Sequence, residues 1–305
     1  CIRDRAWLGL WRRLRGTSYD VLYVNSLWSP AFTVVPIVAR SLGLVRADRV
    51  VVAPRGELSP GALARKAWKK RPFARVWGPL LKGVNATWHA STEAEAAQIM
   101  RVFPWATVRI GLDQVPLPPS PLAPVVVQER PRFVHASRIV PHKNLLMVIE
   151  AFGRLPGSAD LDVFGPVEDA GYWQRCQEMI DGGGLATRVR YRGELQPDAV
   201  RETFRRYDAF LFPTRGESFG HVIAESLSAS CPVICSDRTP WTPVLATGGG
   251  AVIREPTAAR LAERIEQVMA QPAAERLAAR HAAGTAYAAW RARVSNENFL
   301  ATLAR

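Results

Sequence analysis

Phe212-Pro-Thr-Arg-Gly-Glu-Ser-Phe-Gly-His-Val-Ile-Ala-Glu225-Ser-Leu-Ser-Ala-Ser230 is the stretch of this chain from which the fold is best read. The apolar run Ala209 to Phe212 reads as a buried strand, and it passes through a Pro/Gly-containing loop into a helix expected from about Phe219. A helix that begins just past the carboxyl end of a parallel strand offers amides without intrahelical acceptors and the positive end of its dipole, so its first turn is an anion site. Glu217 stands at that start, and Glu225 follows eight residues on, about 12 Å along the axis. Ala224, Ser226, Ser228 and Ala229 are small, which indicates close packing around Glu225. Its carboxylate is therefore expected to have a partner, because burying it unpaired is costly. In isolation, two such glutamates are more simply a favourable acid at a helix start and a surface residue.

Working outward, strands alternate with helices almost throughout, the pattern of parallel sheets covered on both faces. Upstream of Phe212, strands are expected at Arg132 to Ser137, Leu161 to Phe164 and Arg188 to Tyr191; downstream, at Val233 to Cys235 and Ala251 to Ile253. Connecting helices are expected from about Asn144, Asp198, Pro240 and Thr257, giving one doubly wound sheet. Pro116, Pro118, Pro119, Pro121 and Pro124 fall within nine residues, a run that continues neither helix nor central strand and reads as a linker. Before it, strands are expected near Asp20 to Asn25, Arg49 to Ala53, Asn85 to His89 and Thr107 to Ile110. The expected organisation is a first domain over 1–123, a second over 124–280, and a C-terminal helix over 281–305 that crosses back to the first.

A chain of 305 residues with 48% hydrophobic and 22% charged residues is long and apolar enough for two ordinary domains, which excludes a disordered tail or a disulfide-stapled mini-protein. Its four cysteines are irregularly placed and make no disulfide framework, so a reduced, cytoplasmic setting is expected. The longest apolar stretches are too short or too proline-broken to span a bilayer of roughly 30 Å. The chain begins at Cys1 with no signal-peptide pattern and reads as a fragment. Net charge is +13, and residues 1–125 carry 18 Lys/Arg against 7 Asp/Glu, so the positive field belongs to the first domain. That field suits anionic partners.

Arg138 and Lys143 flank the loop after the strand ending at Ser137, which in an open parallel sheet lies at the ligand-binding edge. Two cations there suit a pyrophosphate, with charge-assisted bonds of roughly 1.5 to 3 kcal/mol each.

The order Arg138-x4-Lys143, Gly165 after a strand, Gly193 after the next, and Glu217-x7-Glu225 resembles the nucleotide-sugar domain of glycosyltransferase family 4 over about residues 130–255. Tyr19-Asp-Val-Leu-Tyr-Val-Asn25, Ala53-Pro-Arg-Gly-Glu-Leu-Ser-Pro-Gly-Ala-Leu63 and His89-Ala-Ser-Thr-Glu-Ala-Glu95 resemble the acceptor half of bacterial members that build polysaccharides. The resemblance implies an α/β chain of GT-B fold, two Rossmann-like doubly wound domains facing across a cleft. It also implies retaining transfer of a sugar from a nucleoside-diphosphate donor, UDP- or GDP-linked, to a glycan or lipid-linked acceptor, with no metal cofactor. Carried over by position, Arg138 and Lys143 bind the donor diphosphate, Glu217 with the amides around Phe219 and Gly220 contacts the sugar, amides near His221 and Val222 face a phosphate, Gly165 adjoins the donor, and Glu225 holds the ribose hydroxyls. Arg55 falls where many relatives have a cleft histidine and is the acceptor-side candidate. The implied setting is the cytoplasm, at the inner face of the cell membrane.

The first strand and glycine-rich loop that relatives carry before the Tyr19-Asp20 motif have no counterpart in this stretch, so a nucleotide-binding remnant without catalysis stays open as a second reading. A sugar-nucleotide epimerase of the same fold is a third, for which no internal acid/base set is identified. Asp160-Leu-Asp162 has the form of a metal-binding D-x-D pattern, yet strand-edge or turn roles explain it better, and no other cluster has ligand spacing. Cys231 and Cys235 read as buried strand-end thiols, and Thr92 with Glu95 as a capping box. The role of His89 is left open. Between Ala62 and Lys82, Arg65, Lys66, Lys69, Lys70, Arg71, Arg75 and Lys82 are interleaved with Trp68, Phe73, Trp77 and Leu80. This suits either peripheral contact with an anionic membrane or a solvated helix face with its aromatics in the core, and Pro72 and Pro79 are expected to interrupt any single helix. No nucleic-acid-binding module is recognisable.

Overall fold

The computed structural model describes residues 18–64, 67–111, 116–125, 130–157, 159–294 and 299. The chain divides between Gln114 and Val115 into two compact units, with Phe299 belonging to the first.

In the first unit, β1 (Ser18–Val24), β2 (Arg46–Val52), β3 (Thr87–Ala90) and β4 (Thr107–Ile110) form a parallel sheet in chain order. Val24, Val50, Val52, Trp88 and Ala90 face one core, shared with Ile37, Trp77, Leu81, Ile99 and Phe103 from the covering helices. Val21, Tyr23 and Val51 lie in a separate cluster with Phe299. The helix Ala67–Gly83 runs unbroken through Pro72 and Pro79, contrary to the expected interruption. Packing prevails over the local penalty: Phe73 meets Trp28 edge-on and Trp77 at a tilt, with ring separations of 5.5 and 5.4 Å, and Trp77 and Leu81 are buried. Arg65, Lys66 and the side chain of Arg71 lie outside the described residues.

The second unit has β5 (Arg132–Ala136), β6 (Asp160–Phe164), β7 (Val189–Tyr191), β8 (Ala209–Phe212), β9 (Val233–Ser236) and β10 (Gly250–Ile253), all parallel, in the order β10-β9-β8-β5-β6-β7. Their short apolar runs are two-faced. Phe133, Leu161, Val163, Ala209, Leu211 and Ile234 enter one core with the helices Leu145–Arg154, Ala170–Gly182 and Ala258–Ala270. Val134, Phe164, Phe210, Phe212, Val233 and Cys235 enter the other with His221–Ser228 and Ala273–Arg293. This period-two alternation between two apolar faces is what a parallel sheet with helices on both sides requires.

The proline run is strapped along the second unit. The Leu122 amide donates to Ser228 O at 2.8 Å, the Ser230 hydroxyl to Leu122 O at 2.6 Å and the Tyr287 hydroxyl to Pro118 O at 2.6 Å. The long helix Ala273–Arg293 packs on the same unit through Ala283, Tyr287 and Trp290. Residues 295–298 and 300–305 lie outside the described residues.

Both aspartates of the D-x-D pattern are held by arginines. Asp160 pairs with Arg130 at 3.0 Å. Asp162 accepts from Arg132 at 2.8 Å, Arg192 at 2.7 Å and the Tyr207 hydroxyl at 2.9 Å. Burial pushes the Asp162 carboxyl up, but these three donors overcome it and hold it below the usual carboxylate range. A depressed folded-state pKa gives stability that is present above the unfolded value and lost as pH falls through the folded one. Asp162→Asn should therefore lower unfolding free energy by about 2 kcal/mol at pH 7, less than for a fully buried pair because Arg192 is partly exposed. It should also flatten the acid limb of the stability curve, as urea melts across pH will read. An unchanged acid limb would assign that limb to other carboxylates.

Candidate functional site

In the second sheet β5 and β8 are neighbours, with Phe133 opposite Ala209 and Val134 opposite Phe210. From them the chain winds outward in opposite directions, to β6 and β7 on one side and to β9 and β10 on the other. The loops at the carboxyl ends of β5 and β8 thus diverge at the topological switch point, where an open parallel sheet leaves a crevice for ligand.

Cross-loop contacts stitch these loops together. The Arg215 amide donates to His142 O at 3.0 Å, the Asn144 side-chain amide donates to Pro213 O at 3.0 Å, and the His142 ring nitrogen Nε2 lies 2.5 Å from Gly216 O. Asn144 adopts a left-handed backbone, φ 64°, between the turn Pro141–Lys143 and the helix Leu145–Arg154. Asparagine tolerates that conformation better than most residues. The result sets Lys143 Nζ 2.5 Å from Glu217 Oε1, which also accepts from the Thr214 hydroxyl at 2.9 Å. Lys143 lies 5.2 Å above the Phe212 ring, and both members of the ion pair are nearly buried, at 13% and 12% exposure. The structure thus brings Lys143 and Glu217 together.

The helix expected from Phe219 begins at His221. Gly220 is its N-cap with φ 84°, a conformation that costs glycine little, and it brings no side chain to bond the first amides. The Phe219 carbonyl is fixed by the Trp241 indole N–H at 2.6 Å. Val222 follows in the first turn, and Glu225 lies one turn further on. Glu225 is half-buried, and its side chain has no hydrogen bond or ion pair among the described residues. The expected protein partner is therefore lacking among those residues, and burial alone raises the carboxyl pKa.

Arg138 pairs with a different carboxylate, Glu168, at 2.9 Å, and both side chains are exposed. Gly165 has a backbone reason to be glycine: a Cβ there would stand 1.8 Å from Ser137 O, because the ends of β5 and β6 are tied by Ser137 N to Phe164 O at 3.0 Å and Ile139 N to Pro166 O at 2.8 Å. His135, beneath the crevice on β5, bonds Leu211 O and the Ser137 hydroxyl, and burial drives its pKa down to about 4, so it is neutral at pH 7. Burial also pushes the Cys231 and Cys235 thiols up to about 12. Such thiols are protonated and unreactive.

Arg55, in the first unit, follows β2 in a left-handed backbone, φ 53°. Its guanidinium donates to Asn25 Oδ1 at 2.6 Å, the Tyr23 hydroxyl at 2.9 Å and the Ser91 hydroxyl at 3.3 Å. His89 Nε2 lies 2.7 Å from Gly111 O, so that nitrogen carries the proton and Nδ1 accepts from Tyr23 at 2.6 Å. His89 is buried, with the Phe299 ring stacked on it, and burial lowers its pKa. Thr92 caps the helix Glu93–Val102 as expected, by accepting from Glu95 N at 3.1 Å. The Glu95 carboxylate, however, takes the amides of Ser91 at 2.8 Å and Gly56 at 2.6 Å, tying the Arg55 loop to that helix rather than completing a reciprocal box.

Sequence reasoning missed Thr214, His142, Asn144 and Tyr23. His142, Asn144 and Tyr23 act through partners distant in the chain, whereas Thr214 reaches Glu217 only three residues on; Asn144, a turn-tolerant residue between a cation and an apolar helix, has a local signature. Among the described residues no group of three or more His, Cys, Asp and Glu side chains is arranged to hold a metal ion.

Residues 123–285 match the profile of the family described as glycosyl transferases group 1. The O-antigen chain mannosyltransferase B of Escherichia coli is 24% identical over 170 residues, covering 50% of this chain and 44% of that protein. The phosphatidyl-myo-inositol mannosyltransferase of Mycobacterium leprae is 25% identical over 183 residues, covering 55% and 47%. The match thus spans less than half the length of each of these relatives. Among solved structures, Anabaena Alr3699/HepE in complex with UDP and glucose superposes with a TM-score of 0.72 at 17% identity, over 93% of this chain and 75% of that one. WaaG, a glycosyltransferase involved in lipopolysaccharide biosynthesis, gives 0.63 at 15% identity, over 90% and 85%. At those identities the likeness concerns the fold, which is that of GT-B glycosyltransferases. With more than half of its length matched by the family profile, the chain belongs to the glycosyl transferases group 1.

Proposed function

We propose that this chain transfers a hexosyl group from a UDP- or GDP-linked donor to a glycan or lipid-linked acceptor, with retention of configuration and without a metal ion, in the manner of glycosyltransferase family 4. The observation that carries the reading is Glu225: a half-buried carboxylate with no partner among the described residues, one turn into a helix that starts at the switch-point crevice. Ribose hydroxyls are donors of the kind such an acceptor lacks. Lys143 and Arg138 then bind the diphosphate, Glu217 with the backbone at Phe219 and Gly220 meets the sugar, and the first turn at His221 and Val222 faces a phosphate. Gly165 lets the neighbouring strand end approach closely.

As the bond from the anomeric carbon to the phosphate oxygen breaks, negative charge grows on the departing diphosphate. Fixed cations and amide dipoles there lower the barrier most, because they need no reorganisation. The acceptor oxygen attacks the face the diphosphate leaves, and its proton passes to the leaving phosphate oxygen. Glu217 and Glu225 bind substrate and do not act as the flanking acid and nucleophile of a glycosidase. Arg55 is the acceptor-side cation, and the reaction takes place in the cytoplasm at the membrane's inner face.

The test is transfer from labelled UDP- and GDP-hexoses in the presence of chelator, with the product anomer read by NMR. Retained configuration with chelator present is expected. An inverted anomer, or activity restored only by magnesium or manganese, would overturn the mechanism; nucleotide binding without transfer would favour a non-catalytic remnant.

A further inference from the structure

Trp241 follows β9 and is 2% exposed. Its indole N–H donates to Phe219 O at 2.6 Å, across 22 positions of the chain. Burial alone does not bring an indole a partner in this protein: Trp28, Trp77 and Trp88 each keep a buried N–H without an acceptor among the described residues. The Trp241 bond is therefore a feature of this loop, and the ring that makes it is firmly held. Trp290 packs on it at a ring separation of 4.6 Å and Phe219 meets it edge-on at 5.5 Å. The Trp241 amide donates to the Thr239 hydroxyl at 3.3 Å.

The segment that carries Trp241 also anchors the loop before Phe219. The Ser236 hydroxyl donates to Thr214 O at 2.6 Å, and the Glu217 amide to Arg238 O at 3.0 Å. Those bonds fix the loop as far as Glu217, and the indole fixes it at Phe219. No described peptide bond is cis, and in a trans peptide the carbonyl and the N–H of one unit point to opposite sides. Phe219 O turned inward onto the indole therefore turns the Gly220 N–H away from it. Gly220 is buried, and its N–H meets no acceptor among the described residues. A buried amide in that state is rare and costly unless something else supplies the acceptor. Gly220 also adjoins the site carboxylate, since a Cβ added there would lie 3.6 Å from Glu217 Cβ and Cγ. Glu217 uses Oε1 for both Lys143 and Thr214, which leaves Oε2 without a partner among the described residues. An amide donor beside a carboxylate acceptor is the pair that a hydroxyl satisfies, because a hydroxyl accepts one bond and donates another.

We propose that Trp241 is a positioning residue of the donor site: its N–H locks the Phe219–Gly220 peptide so that Gly220 N–H donates to a hydroxyl of the transferred sugar, which in turn donates to Glu217. The inference rests on the donor-site reading and adds to it the residue that aims the amide. An amide held in place before the sugar arrives needs no reorganisation to bind it. Without the indole N–H, Phe219 O loses its donor and the peptide is free to rotate.

The test is calorimetric titration of the full chain with UDP and UDP-glucose, and with GDP and GDP-mannose, for wild type and for Trp241→Phe, which keeps an aromatic ring and removes the N–H. The variant should weaken nucleotide-sugar binding about 3- to 10-fold, the worth of one hydrogen bond, and leave binding of the free nucleoside diphosphate within about twofold. Trp290→Phe thins the packing on Trp241 and keeps its N–H, so it should lower the melting temperature without that selective loss. Should Trp241→Phe fail to fold, replacing Trp241 with benzothienylalanine, in which sulfur stands in place of the N–H, decides the same point. Unchanged nucleotide-sugar affinity in the variant, an equal loss for sugar-linked and free nucleotide, a selective loss reproduced by Trp290→Phe, or a wild-type chain that binds a nucleotide but neither nucleotide-sugar would each overturn the proposal. A wild-type chain that binds none of these ligands would remove the donor-site reading itself, and this inference with it.

Discussion

Lys143→Ala is expected to lower kcat for sugar transfer by about 10²–10³-fold, with a smaller change in KM. The ammonium is nearly buried, 2.5 Å from Glu217 Oε1 and 5.2 Å above the Phe212 ring. In so dry a site a fixed charge stabilises a developing anion far more than it would in water. Before donor binds, Glu217 occupies the ammonium. As the diphosphate departs, the charge on its oxygens rises and Lys143 gains a second partner, so its contribution grows toward the transition state. Truncation also leaves the Glu217 carboxylate with the Thr214 hydroxyl at 2.9 Å as its remaining side-chain donor. Lys143→Ala combined with Glu217→Gln separates these effects: it should recover stability but not turnover. Turnover within a few-fold of wild type in Lys143→Ala would remove the leaving-group role.

Glu225→Gln is expected to move stability and binding in opposite directions. Burial raises the Glu225 carboxyl pKa in the folded chain. A raised acid pKa means that the folded chain binds more protons than the unfolded one in the window between the two values, so stability falls as pH rises through it. The neutral amide escapes that loss. The variant should therefore melt higher than wild type at pH 7, with the difference vanishing near pH 4, where both side chains are neutral. Its affinity for the nucleotide should fall about 10- to 100-fold, equivalent to roughly 1.4 to 2.7 kcal/mol, because an amide replaces two carboxylate acceptors with one and adds a donor. Paired thermal melts and titrations measure both. A lower melting point with unchanged affinity would make Glu225 a structural residue.

Much of the second unit was legible because its strands are short apolar runs between turn residues, and the alternation within them survives in two cores. Ala209 to Phe212 falls on the expected residues, and the others lie within a residue or two. The first turn after Phe212 was less legible. Gly220 puts its left-handed break directly before His221, so Phe219, read as helix start, instead caps the loop through its carbonyl. The prolines of Ala67–Gly83 misled for a different reason. Their local cost is fixed by chemistry, whereas the burial of Trp77 and Leu81 that offsets it depends on residues distant in the chain. The site itself was legible as residue types at spacings, not as contacts. The Lys143–Glu217 pair spans 74 positions, and the absence of a described partner for Glu225 is a property of packing, which no local pattern encodes. Small residues around it signalled burial correctly and a protein partner wrongly.

Calorimetric titration of UDP, GDP and ADP into the purified chain in chelator bears most directly on the nucleotide-sugar site. One nucleoside diphosphate should bind without metal, and Glu225→Gln should weaken it while the fold persists. Failure of all three to bind a demonstrably folded chain would contradict the assignment of Arg138, Lys143, Glu217 and Glu225 to a donor site.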